Sequence, residues 1–188
     1  MHKLTYDGQF LNLHLAAYHE AGHKIIYNRF GGDGDATVWE NTGGVSGELA
    51  WRGQFRPRTC PQVMHNCAKR QGLPAAALPD NWRLLYGMAG MVAEEMLLDN
   101  ADDPELIAKT ISLRMWHGEA SKSDLLSMGI TDTEDYFELD TEDVAQTQRL
   151  LLENWPLVQR EADYLIFETI EGPQARQWRL TSSTVLRQ

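Results

Sequence analysis

Apolar residues recur at helical intervals along most of the chain and switch to alternation in one short stretch. Between Phe10 and Phe30, the positions Leu15, His19, Gly22, Ile26 and Phe30 share one stripe at three- and four-residue spacing, which predicts a helix. Gly31 and Gly32 end it. Two β-compatible pieces follow, Ala36 to Glu40 and Val45 to Arg52, separated by the hairpin-like Asn41-Thr-Gly-Gly44. The proline-bearing stretch Gln54 to Leu78 reads as a loop around a short helix. A second helix is expected from Asp80 to about Leu98. Its Gly87, Gly90 and Glu94 lie on one face, where small residues let another helix approach closely. Asp103-Pro104-Glu105 opens a third helix to about His117. The polar, acidic stretch Gly118 to Asp140 holds a short helical piece near Asp124 to Met128. Asp140-Thr-Glu-Asp143 then starts a last helix through about Ile170, which Pro156 is expected to kink. Glu171 to Gln188 reads as a loose tail. The expectation is one domain over residues 1–188, mainly α with a small antiparallel β ribbon.

Composition narrows the function classes. The 188 residues are 43% apolar and 23% charged, as in a globular domain with a core of its own. No apolar run reaches membrane length, and the first residues lack the apolar core of a signal peptide. The net charge of −10 argues against binding a phosphate backbone, so neither nucleic acid nor membrane is an expected partner. Two cysteines are too few for a disulfide scaffold, and a reducing cytoplasm is the expected compartment.

The sharpest chemical signal is His19-Glu20-Ala21-Gly22-His23. Residues four apart on a helix share a face, so two imidazoles can hold one metal ion. The intervening glutamate stands at the flank, where it can take a proton from a water that the metal polarises. Zinc suits imidazole ligands and activates water near neutral pH. This is the arrangement of HExxH metallopeptidases. His19 falls on the apolar stripe, so the site should be partly desolvated. Gly22 costs about 1 kcal/mol relative to alanine mid-helix, which suggests close packing against that turn. A catalytic zinc needs a third protein ligand. Glu94, Glu95, His117 and Asp124 are all candidates, and spacing does not choose among them. Glu94, on the small-residue face, is also placed to accept the second N–H of a zinc-binding histidine.

Three stretches carry a resemblance. Ala17-Tyr-His-Glu-Ala-Gly-His-Lys-Ile-Ile26 resembles the zinc helix of the FtsH-type ATP-dependent metalloprotease family. Ala89-Gly-Met-Val-Ala-Glu-Glu-Met96 resembles that family's Gly-Gly-Arg-Ala-Ala-Glu-Glu-Leu segment. Ala120-Ser-Lys-Ser-Asp-Leu125 resembles its Gly-Ala-x-x-Asp-Leu segment. The resemblance implies an FtsH peptidase-domain-like zincin fold. It also implies Zn²⁺ on His19, His23 and Asp124, with Glu20 as general base. It further implies a strand edge beside the zinc helix that holds substrate backbone, which falls on Val45, Ser46, Gly47, Glu48 and Leu49. Met91 stands where the family has arginine, and the stretch from Glu95 to Asp124 is longer than the family's. The nucleotide-binding Gly-x₄-Gly-Lys-Ser/Thr loop is absent from the sequence.

The expected activity is therefore zinc-dependent endopeptidase action on a polypeptide, ATP-independent by itself, with a separate ATPase or unfoldase as an optional partner and a homo-oligomer allowed. Two other readings compete. One is a binding or adaptor protein that keeps the fold without proteolysis, and the other is a zinc hydrolase of a small non-peptide amide. Cys60, His65 and Cys67 do not have the spacing of a common structural zinc site and read as ordinary loop and helix residues.

Overall fold

The structure is a computed structural model that describes residues 3–43, 49–75, 77–98, 103–131 and 138–170. It is mainly helical with a two-stranded antiparallel sheet. Among the described residues the order is α1 (Lys3–Arg29), β1 (Asp33–Glu40), β2 (Trp51–Thr59), α2 (Pro61–Arg70), α3 (Trp82–Leu97), α4 (Pro104–Trp116), α5 (Lys122–Met128), α6 (Thr141–Glu153) and α7 (Trp155–Ile170). No described helix is long and apolar enough to cross a membrane.

Helix α3 is the hub. It is apolar on nearly every face, with Leu85, Met88, Met91 and Val92 fully buried, and a helix of that kind must be enclosed. It is packed by α1, α4, α5 and α6. Burying each such side chain contributes about 1.5–3 kcal/mol. Two glycines set how closely the neighbours come. A Cβ on Gly22 of α1 would lie 2.7 Å from the Ala89 carbonyl oxygen and 2.9 Å from Ala93 Cβ, so α1 and α3 touch almost backbone to backbone. A Cβ on Gly87 would lie 2.7 Å from the Met128 backbone nitrogen, which is how the end of α5 lies flat on α3.

The sheet departs from the sequence expectation. The second strand was expected over Val45 to Arg52; Val45 to Glu48 lie outside the described residues, and β2 begins at Trp51 and runs on to Thr59, through a stretch expected as loop. The alternation that matters continues past Arg52. Trp51, Gly53 and Phe55 are half-buried, while Arg52, Gln54 and Arg56 are exposed. Phe55 packs edge-on against Tyr27 of α1, with ring centres 5.3 Å apart. The Asn41 N–H donates to the Ala50 carbonyl at 2.8 Å, and Trp39 then pairs with Arg52 and Thr37 with Gln54. By antiparallel alternation, Trp51, Gly53, Phe55 and Pro57 turn their backbone groups away from β1. A proline there removes no ladder bond, so it marks β2 as an edge strand. The opposite edge is closed, because the Val38 carbonyl of β1 accepts from Thr169 Oγ1 of α7 at 3.0 Å.

The remaining elements follow their capping residues. Asp103 accepts from the Leu106 N–H at 3.0 Å and starts α4, with Pro104 in its first turn. Ser121 accepts from the Asp124 N–H at 3.1 Å and starts α5, which Gly129 ends at φ +83°. Asp140 accepts from the Glu142 N–H at 2.8 Å and starts α6. Where one kinked helix was expected, there are two, α6 and α7, divided at Asn154. Pro156 sits in the first turn of α7, where its missing N–H costs nothing. The expected tail, Glu171 to Gln188, lies outside the described residues.

The glycine contacts give a prediction with a sign. Gly22→Ala gains about 1 kcal/mol of helix propensity but drives a methyl into a backbone oxygen, so it should destabilise by about 1–3 kcal/mol net. Gly8, in the same helix with nothing within 4 Å of its absent Cβ, should gain stability as alanine. Urea unfolding of the two variants measures both.

Candidate metal centre

Three elements converge on one point. His19 and His23, one turn apart on α1, turn their Nε2 atoms toward each other at 3.0 Å. Asp124 of α5 faces both, with Oδ2 3.2 Å from His19 Nε2 and Oδ1 3.2 Å from His23 Nε2. These three side chains form a group that could hold a metal ion, their donor atoms all within 4.8 Å of one another. His23 and Asp124 are buried and His19 is half-buried.

The proton positions follow from the partners. His23 Nδ1 lies 2.9 Å from the Tyr86 carbonyl, which can only accept, so Nδ1 carries the hydrogen and Nε2 presents a lone pair. His19 Nδ1 lies 2.7 Å from Glu94 Oε1. Burial works against a charge on Glu94, but His19 and Arg114 outweigh it and hold the carboxyl below its usual range. An ionised Glu94 can only accept, so His19 Nδ1 also donates. Two imidazole lone pairs and a carboxylate are thereby aimed at one another. Such an arrangement needs a cation among them, either a proton or a metal ion.

Two further observations fit a metal ion. Asp124 Oδ2 is buried, and its nearest partner is His19 Nε2 at 3.2 Å, so with His19 neutral an acceptor is left over. The separations of 3.0 and 3.2 Å are close to the roughly 3.3 Å between ligands of a tetrahedral ion with bonds of about 2.0–2.1 Å. Gly90 of α3 forms the floor. A Cβ there would lie 2.5 Å from His23 Nε2 and 2.6 Å from His19 Nε2.

Glu20 stands between the two histidines in sequence and is only 6% exposed. Its side chain lies under β2, where a Cβ on Gly53 would come 2.6 Å from its Oε1. Burial pushes its carboxyl above the usual range, against the opposing pull of His19 and His23. A buried carboxylate of raised basicity beside a cation site is suited to taking up a proton.

Of the other residues considered as third ligand, Glu94 holds His19 from behind. Glu95 is buried with its Oε1 3.4 Å from Arg114 Nη1, and His117 is exposed at the end of α4 against Trp116. None of the three joins the cluster. Val45, Ser46, Gly47 and Glu48, expected to hold substrate, lie outside the described residues, and Leu49 is 65% exposed. The backbone that borders Glu20 is that of Gly53, on β2. Sequence reasoning missed four contributors: the Tyr86 carbonyl, Gly90 as floor, Arg114 behind Glu94, and Ser121 as the cap that fixes Asp124. Two had a readable signal: Ser121-x-x-Asp124, a cap three residues before an acid, and Gly90, on a small-residue face that invites close approach without naming the imidazoles. Comparison with protein-family models and with curated proteins gives no match.

The charges make the metal-free protein sensitive to pH in a defined way. Burial disfavours protonated His19, but Glu94 and Asp124 outweigh it and hold its value well above the ordinary 6.5. That contribution is fully present below about pH 6.5 and is lost as pH rises through the elevated folded value. Asp124, held well below its ordinary 3.8 by His19 and His23 despite burial, gives the opposite limb, lost only in strong acid. Chelator-treated protein should therefore lose stability in urea as pH rises above about 6.5, and a divalent metal should restore more of it at the alkaline end, where no proton competes. Gly90→Ala should abolish divalent-metal binding in a calorimetric titration, because its methyl occupies the space beside both Nε2 atoms.

Proposed function

We propose that the chain is a zinc metallopeptidase with an FtsH-type, zincin-like peptidase fold, acting on polypeptides without ATP. The observation that carries this reading is the convergence of His19 Nε2, His23 Nε2 and an Asp124 oxygen within about hydrogen-bond distance, with Glu20 buried beside them. Two neutral imidazoles and one carboxylate form the ligand set of a catalytic zinc, which keeps a fourth position open. When bound, the ion supplies Lewis-acid polarisation of a substrate carbonyl and of a water.

The chain's own groups supply the rest. Glu94 and the Tyr86 carbonyl fix the ring orientations and leave both Nε2 atoms as donors of lone pairs. Glu20 accepts a proton from the attacking water at a carboxylate oxygen and hands it to the leaving amine nitrogen. Gly53 makes room for Glu20 beneath the sheet and, through its outward-facing backbone, continues the edge of β2 that no described strand pairs with. An extended peptide adding to that edge would be held by main-chain hydrogen bonds, with tolerance of its sequence. The edge in this reading is Trp51–Phe55; of the expected Val45–Leu49, only Leu49 lies among the described residues. The cation-facing acceptors, the buried acid and the neighbouring open strand are the three features that favour a peptidase over a binding module.

Glu20→Gln is the decisive variant. It should keep zinc and fold while losing peptide hydrolysis by about 10²–10⁴-fold, measured with a fluorescent peptide or casein with and without chelator. His19→Ala and His23→Ala should lose both metal and activity. Parent protein that binds zinc but cleaves no peptide would overturn the peptidase reading and leave a binding or adaptor module.

A further inference from the structure

Behind the metal centre, the carboxylate that orients His19 is itself held from a helix that contributes no ligand. Glu94 Oε1 accepts from His19 Nδ1 at 2.7 Å, and its other oxygen, Oε2, accepts from Arg114 Nη2, also at 2.7 Å. Arg114 Nη1 reaches Glu95 Oε1 at 3.4 Å, and its Nε lies 3.9 Å from Glu119. The guanidinium thus spans the two neighbouring glutamates of α3 with different nitrogens, which is a geometry that a planar fork can adopt and an ammonium cannot.

Arg114 reaches this position because α4 is anchored. Ile107, Ala108, Ile111 and Met115 of α4 are buried in the core. Ser112 Oγ donates to the Ala108 carbonyl at 2.7 Å and accepts from the Leu139 N–H at 3.0 Å, which ties α4 to the chain entering α6. The Glu119 N–H donates back to the Arg114 carbonyl at 2.9 Å, closing the turn after α4. Arg114 is therefore presented on a fixed scaffold in the last turn of its helix.

We infer that Arg114 is a positioning residue of the metal centre, its forked guanidinium fixing Glu94 so that His19 keeps its Nδ1 hydrogen and aims its Nε2 lone pair at the ion. The inference rests on the metal-centre reading above and deepens it. It is separable from a plain structural role. A salt bridge that only stabilised α4 on α3 would change the unfolding midpoint and leave metal affinity alone. A clamp on Glu94 weakens metal binding even where the fold is intact, because an unclamped carboxylate turns away and frees the imidazole to rotate or to change tautomer.

The test measures zinc affinity by competition with a chromophoric chelator for the parent, Arg114→Gln, Arg114→Lys, Glu94→Gln and the double variant Glu94→Gln/Arg114→Gln. Unfolding is followed in parallel. Arg114→Gln should bind zinc about tenfold more weakly, within the range typical of lost partners behind a metal ligand. Arg114→Lys should fall between parent and Gln, and it carries the test if the Gln variant does not fold. The double variant should bind no more weakly than Glu94→Gln alone, because Arg114 acts through that carboxylate. Cobalt substituted for zinc should show a changed visible spectrum in Arg114→Gln. A folded Gln or Lys variant with parental zinc affinity overturns the role of Arg114 while leaving the metal centre standing. A double variant with additive losses overturns the route through Glu94. Failure of the parent to bind zinc overturns the metal-centre reading itself.

Discussion

The structure turns on one electrostatic constraint: three atoms that present lone pairs to one another unless a cation intervenes, His19 Nε2, His23 Nε2 and an oxygen of Asp124, are held face to face. Left to themselves such groups repel, and water is largely excluded from the site. They are kept there because each is fixed from the far side. Glu94 and the Tyr86 carbonyl occupy the two Nδ1 hydrogens, and Ser121 fixes the first turn of α5 so that Asp124 points inward. The site is therefore preorganised for a cation, and the metal-free protein meets the constraint with a proton on His19. This explains why the same geometry that favours a metal also raises the basicity of one of its ligands, and why proton and metal compete for a single position.

Preorganisation has a packing cost that the sequence bears in small residues. Gly22, Gly87 and Gly90 all lie where a Cβ would collide with backbone or with the imidazoles. Each sacrifices helix propensity of about 1 kcal/mol relative to alanine. What offsets this is the burial around α3, whose Leu85, Met88, Met91 and Val92 are fully enclosed. The glycines bring α1, the hub helix α3 and the aspartate-bearing α5 within reach of one another, and the apolar residues between them supply the stability that the glycines give up.

How much of this could be read from the chain depended on the range of the interaction. The histidine pair and its inward face were legible, because helical periodicity is local and His19 sits on the stripe of Ile26. The close approach at Gly22 and along Gly87 and Gly90 was legible for the same reason. The position of β2 was not. Its pattern of Trp51, Gly53 and Phe55 against Arg52, Gln54 and Arg56 is a sound alternation, but Gly53 and Pro57 imitate a turn. Gly53 is small because Glu20 lies beneath it, and Pro57 is tolerated because its nitrogen faces away from the ladder. The break between α6 and α7 was half legible, since Pro156 signals a disruption without saying whether a helix bends or restarts. The grouping of Asp124 with the histidines, over Glu94, Glu95 and His117, depended on how α5 docks on α3, and spacing along the chain carries no record of that.

The same distinction explains why the outer support of the site falls on α4. Met91, on the same helix as Glu94, is 1% exposed among apolar neighbours. An arginine at such a position would bury a charge without water, whereas a methionine fills it at no electrostatic cost. The buried carboxylates of α3 require a counter-charge, and it arrives from a neighbouring element, through Arg114 at the end of α4. That element fills the stretch of chain between Glu95 and Asp124. It is packed into the core by Ile107, Ile111 and Met115 and latched to the start of α6 through Ser112 and Leu139. On the role proposed for Arg114, the candidate metal centre depends on contacts far from its three donor residues: loosening α4 on α6 would release Arg114, then Glu94, then the ring of His19. Coupling of this kind follows from carrying the balancing charge on a separate helix, and it ties the chemistry of the site to the docking of the C-terminal half of the fold.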